Sequence, residues 1–248
     1  MKRGISVNIM EITHLLILII GVGLGFYIQT VVGFAAALVA LPIILSVLQM
    51  QEAVSLMAIF FLIFAIIFMY KDWKDMDKKT IIELGLGMLI GSIIGTYILK
   101  FGNPITLRKG LGILILLYVI YTYAKKSKIK CFRKLGILFG LLGGFFSILF
   151  AAAGPFFAVY INNKVDKSRI IRATLIGILG INSLVRVLLL IMSGILTVNI
   201  FISSLYILPF FLLALYFGHK TYNKINENMF KNVLLILLII SGISLIIR

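Results

Sequence analysis

The chain has 248 residues, of which 62% are hydrophobic, and a mean hydropathy of +1.16; soluble domains have about 45–50% apolar residues. Its net charge of +16 lies in short loops between apolar runs, as lysine and arginine do in cytoplasmic loops of membrane proteins, which excludes nucleic acid as a partner. A single cysteine, Cys131, excludes an internal disulfide and any multi-cysteine metal site, and the two histidines, His14 and His219, lie far apart near segment ends. No haem, zinc or other cofactor is expected.

The first apolar run, Ile12 to Leu48, holds no lysine, arginine, aspartate or glutamate over 37 residues, about twice the ~20 that one helical span requires. Gly21, Gly23, Gly25, Gly33, the polar pair Gln29 and Thr30, and Pro42 interrupt it. In lipid every backbone N–H and C=O needs a partner, so irregular backbone survives only inside protein or around a cavity. The run therefore reads as a broken, re-entrant-like hairpin of two half-length arms meeting near Gln29–Phe34. Two ordinary spans whose glycines allow close packing are the alternative.

The span Ala53–Tyr70 follows, then the mixed loop Lys71–Lys79 and the span Ile81–Leu99, where Gly87, Gly91 and Gly95 recur every four residues. That spacing places them on one face, where another helix can approach closely. After the loop Lys100–Lys109 and the span Leu111–Tyr123, the basic loop Lys125–Lys134 divides the chain. The second half opens with another interrupted run, Leu135–Ile161, with its break at Ala151–Pro155. It continues through the spans Ala173–Met192, Phe201–Phe217 and Val233–Ile247.

The halves repeat: setting Gly25 on Gly143 puts Gln29 opposite Ser147 and Gly33–Ala37 opposite Ala151–Pro155. The expected fold is an all-α polytopic membrane protein of two homologous inverted repeats, each a broken helical hairpin plus three transmembrane helices. Residues 1–124 and 135–248 form the repeats, and 125–134 the cytoplasmic loop between them. If each broken run enters and leaves on one side, the loops beginning at Lys71, Lys125, Lys164 and Lys220 share a side with 17 basic residues, against six opposite. If each run crosses once, the split is 13 against 10. The positive-inside rule favours the first arrangement, with both chain ends outside.

Arg186 is the only basic residue well inside a span. An intramembrane charge costs at least ~2.5 kcal/mol and marks a functional site by default; snorkelling to the surface is the competing reading. Asn182, four residues earlier, shares its helical face, and the guanidinium fork matches the oxygens of sulfonate, sulfite or carboxylate. The breaks offer backbone N–H groups and half-helix N-termini, which attract anions. Gln29, Thr30 and Ser147 add neutral hydrogen-bonding groups, or else satisfy their own unwound backbone. The candidate substrate-binding residues are Gln29, Thr30, Gly33, Ser147, Ala153, Gly154, Asn182 and Arg186. Glu52 and Glu83 sit at span edges and read as solvated charges, so the sequence names no proton carrier.

The stretches GVGLGFYIQTVVGFAAALVALP (21–42) and GLLGGFFSILFAAAGPFFAVYI (140–161), with RATL at Arg172–Leu175, resemble the TauE/SafE family of sulfite or organosulfonate exporters over nearly the whole chain. The resemblance implies two four-helix-type repeats and export of a small sulfur-containing anion. Where that family favours consecutive glycines, alanines stand at Ala35–Ala37 and Ala151–Ala153; alanine is the best helix former, so short breaks are expected. The leading function is a secondary transporter (an exporter) of a small anion, in a multi-pass plasma-membrane protein whose partners are that anion and the lipid bilayer; a homodimer is compatible with the sequence. An anion channel is the alternative, and an intramembrane lipid-modifying enzyme the third reading, weakened by the lack of a deep acid, base or nucleophile.

Overall fold

The opening apolar run folds back on itself within the protein. The computed structural model describes residues 2–32, 35–72, 75–124, 135–222 and 227–247, and these form ten α-helices without a strand. Helix α1 (Lys2–Val32) and the short α2 (Ala36–Ile44) are antiparallel. Gly25 lies against Ala36 and Ala40 while Gly21 lies against Ile43 and Ile44, so a Cβ at Gly25 would stand 2.7 Å from Ala36 O. These glycines are contact points between the arms, not interruptions.

The arms are unequal, contrary to the expectation of two half-length helices. Ile12–Val31 alone is a predominantly apolar stretch of 20 residues, about 30 Å of helix and enough to cross the hydrocarbon core. Gly21, Gly23 and Gly25 do not stop α1, because a glycine keeps its helical hydrogen bond. The reversal comes at Ala35, whose φ is 90°. Pro42 is absorbed inside α2.

Helices α6 (Gly136–Phe150) and α7 (Gly154–Lys164) form the second hairpin. A Cβ at Gly136 would stand 2.8 Å from the Tyr160 hydroxyl, and one at Gly143 would meet the Phe157 ring. The break between them is three residues, and Ala151 adopts φ 52°. Thus both breaks turn on an alanine in the left-handed region, which side chains other than glycine's rarely adopt.

The remaining helices are α3 (Met50–Asp72), α4 (Lys78–Phe101), α5 (Pro104–Ala124), α8 (Ser168–Met192), α9 (Val198–Tyr222) and α10 (Glu227–Ile247). Asp77 starts α4 by accepting from the Lys79 N–H at 3.1 Å and from the Thr80 hydroxyl at 2.6 Å, a side-chain cap on donors the helix leaves free. Helices α4 and α6 run parallel, backbone against backbone. A Cβ on Gly87 or Gly91 would collide with the carbonyl oxygens of Ile137 or Leu141, and one on Gly140 or Gly144 with those of Leu84 or Met88. Helix α1 runs beside α9, with Phe26 and Phe211 ring centroids 4.8 Å apart. Helices α3 and α8 pack together, as do α5 and α10 around Gly112 and Gly242.

Five of the described helices are long and apolar enough to cross a bilayer, counting residues within α1, α3, α4, α8 and α9. Ile82, Leu86, Ile93 and Tyr97 on α4, and Leu205, Leu213 and Tyr216 on α9, are exposed, an apolar surface suited to lipid. The protein is a multi-pass, all-helical membrane protein. At one end Arg169 Nε donates to Asp75 Oδ2 at 2.8 Å, and the Asp77 N–H donates to Thr174 Oγ1 at 2.9 Å, so the segment before α4 lies against the first turns of α8. Glu83 is not a freely solvated charge: Lys164 and Tyr160 both donate to its carboxylate. The partners are some eighty residues apart in sequence, and the return of α7 along α6 brings them to α4. The basic loop Lys125–Lys134 and Gly33 lie outside the described residues.

Candidate functional site

On α8, Leu179, Asn182, Ser183 and Arg186 follow one another at three, four and seven residues, the spacing of a single helical face. All four line a cavity near the middle of α3 and α8. Gln29, Ala35, Ala37 and Leu38 border it from the first hairpin, and the break Ala151–Ala153 with Gly154 and Pro155 from the second. Both breaks therefore face the same space. Phe61 of α3 completes its wall.

Arg186 is 2% exposed, so it does not snorkel. Its Nη1 donates to Ser147 O at 3.3 Å, and its Cζ stands 5.0 Å from the centre of the Phe61 ring, within the range of a cation–π contact. Nε and Nη2 are buried with no hydrogen-bond partner. Asn182 Nδ2 donates to Ser147 Oγ at 2.6 Å, which leaves Asn182 Oδ1 buried and unpartnered. Leaving a buried polar group unpaired costs about 1–3 kcal/mol, and more when it is charged. Three such atoms stand on two neighbouring side chains of one helical face.

The helix ends add to the field. The N-termini of α2 and α7 both lie at the cavity, and each carries the positive end of a helix dipole. Gln29, 2% exposed, accepts the Ala36 N–H through Oε1 at 3.1 Å, capping α2 from across the break. The cavity has about 20 Å³ open to the centre of a water molecule; about 10–15 Å³ holds one water. That is room for one or two waters.

The structure brings Gln29, Ala153, Gly154, Asn182 and Arg186 to this cavity and puts Ser147 directly behind them, holding Asn182 and Arg186. Thr30 is placed elsewhere: its hydroxyl donates to Phe26 O at 2.8 Å, and its side chain packs on Gly218 of α9. One turn of helix from Phe26, it satisfies itself on its own backbone. Gly33 lies outside the described residues. Ser183 and Phe61 are among the wall residues that were not anticipated. Ser183, whose Oγ donates to Leu179 O at 2.8 Å, was legible from the face it shares with Asn182 and Arg186. Phe61 carries no such signal among 19 phenylalanines.

The chain matches the family described as Sulfite exporter TauE/SafE over residues 17–245. Among curated proteins and among solved structures nothing matches. The match runs from within α1 nearly to the end of α10 and takes in both hairpins and every residue of the cavity, so the chain belongs to the TauE/SafE family of sulfite exporters.

Proposed function

We propose that the protein is a secondary transporter that exports a small anion, a sulfur oxyanion or an organosulfonate, across the plasma membrane by alternating access. Membership of a sulfite exporter family makes it a transporter by kind. The observation that carries the substrate's charge is Arg186, buried within α8 with two donor atoms unpartnered. A membrane helix keeps such a costly charge where it has work to do, and a planar fork of donors suits a trigonal oxyanion face. Two half-helix N-termini add to the attraction, the device that broken helices supply at transporter sites.

The carrier reading draws on two further features. The cavity is narrow in this structure, with about 20 Å³ open to the centre of a water molecule, and on this reading a rearrangement widens it to load the anion. The packing also supports inverted repeats: exchanging the first five helices with the last five turns the α1–α9 pair into the α6–α4 pair. The same exchange returns α3–α8 and α5–α10 to themselves. On this reading the hairpins face each other across a pseudo-two-fold axis, and rocking of one repeat against the other opens the cavity to alternate sides.

Counterflow by the purified chain in proteoliposomes tests this. A carrier accelerates entry of labelled sulfite or sulfonate when the unlabelled anion is inside. A flux indifferent to the trans side favours a channel, and no flux at all contradicts the proposal.

A further inference from the structure

Resting on the anion-site reading, we infer that the substrate is an oxyanion that also carries a neutral O–H, bound by Asn182 Oδ1 while its oxygens take the Nε and Nη2 donors of Arg186. The argument begins with the amide. Asn182 lines the cavity; its Nδ2 donates to Ser147 Oγ at 2.6 Å, while its carbonyl oxygen is buried and unpartnered. A site made only for a bare oxyanion would present donors alone. An acceptor beside the arginine sets its lone pairs against the oxygens of such an anion, whereas a hydroxyl on the ligand turns that opposition into a hydrogen bond. Four residues apart on one helical face, the two side chains can engage neighbouring groups of one small molecule.

The donor is a hydroxyl and not an ammonium. Among the described residues Arg186 is the one charged residue in the cavity wall, and no described carboxylate stands there to neutralise a second cation. A like charge in the low-dielectric interior would be repelled by the guanidinium. The ligand class is therefore a hydrogen oxyanion such as hydrogen sulfite, or a hydroxylated sulfonate; an aminosulfonate zwitterion is disfavoured.

Binding to the purified, detergent-solubilised wild-type chain tests this with matched ligands: ethanesulfonate, 2-hydroxyethanesulfonate and 2-aminoethanesulfonate, with hydrogen sulfite as the inorganic arm. The hydroxylated sulfonate is expected to bind at least about tenfold more tightly than ethanesulfonate, since a hydrogen bond in a buried site spares the acceptor its desolvation cost. The aminosulfonate is expected to bind most weakly of the three. Hydrogen sulfite binding above all the sulfonates assigns the site to the inorganic ion; 2-hydroxyethanesulfonate binding above hydrogen sulfite assigns it to an organic one. In Asn182→Leu the ratio between the hydroxylated and plain sulfonates should fall to near one, while the wild-type comparison stands if that variant does not fold. Ethanesulfonate binding as tightly as its hydroxylated partner, in an Arg186-dependent manner, overturns the hydroxyl inference and leaves the anion site intact. No binding of any of these anions overturns both.

Discussion

Arg186 rests its guanidinium on the face of Phe61, with Cζ 5.0 Å from the ring centre. In the ligand-free protein the ring and the Ser147 carbonyl oxygen, 3.3 Å from Nη1, compensate a charge with two unpartnered donors. Phe61→Leu keeps apolar bulk and removes the negative face, so it should cost the ligand-free protein about 0.5–2 kcal/mol. A bound anion takes over the compensation, and the loss should shrink when the site is saturated. Thermal unfolding with and without a binding sulfonate measures both; equal losses in the two states contradict the role given to the ring.

Gln29 makes a different kind of contact, holding the first N–H of α2 from the far side of the break at 3.1 Å. Gln29→Ala orphans that donor and should destabilise the fold by about 1–2 kcal/mol. Gln29→Glu keeps an acceptor at the helix N-terminus and adds a negative charge at the cavity, so the fold should hold while anion affinity falls about tenfold or more. Comparing unfolding midpoints with binding constants for the two variants separates the capping role from the electrostatic one.

The strained alanines predict a gain. Ala35 and Ala151 sit at φ 90° and 52°, where an L side chain costs about 1–2 kcal/mol and glycine pays only its extra chain entropy, about 0.5–1 kcal/mol. Ala151→Gly should therefore be neutral to stabilising by up to about 1 kcal/mol, and Ala151→Val clearly destabilising. A thermal midpoint that falls with glycine would show that the left-handed turn is not strained.

Much of this was legible beforehand, for identifiable reasons. The four-residue spacing of Gly87 and Gly91 announced a close helix contact, because only a backbone without Cβ lets α6 lie against it. Asn182 and Arg186 fell on one face by helical period, and the burial of a lone cation within a span pointed to a site. The lengths of the arms were not legible, since glycines that break a helix and glycines that pack a helix look the same in sequence; Gly21 and Gly25 are of the second kind. Neither was the pairing of Glu83 with Lys164 and Tyr160, which depends on where α7 returns. Thr30 misled because a polar residue in an apolar run can bond its own helix, as it does to Phe26 O.

If each broken run enters and leaves on one side, the loop charges divide 17 against six and orient the chain with Lys125–Lys134 inside. The native Cys131 lies in the basic loop Lys125–Lys134, so a membrane-impermeant thiol reagent should label it only from the cytoplasmic side. A cysteine placed at position 2 in a Cys131→Ser background should react only from outside. Labelling of both positions from the same side contradicts the inverted arrangement.

The central claim is that Arg186 binds the transported anion, and transport by folded variants in proteoliposomes tests it most directly. Arg186→Lys keeps a charge but loses the planar fork, so transport should weaken substantially. Arg186→Gln should weaken it further, because a charge-assisted hydrogen bond contributes about twice a neutral one. Both proteins should insert and fold, since lysine leaves the intramembrane charge as it is and glutamine removes it, which lowers the cost of insertion. Graded loss in the order arginine, lysine, glutamine is the result this account predicts; wild-type transport in both variants would contradict it.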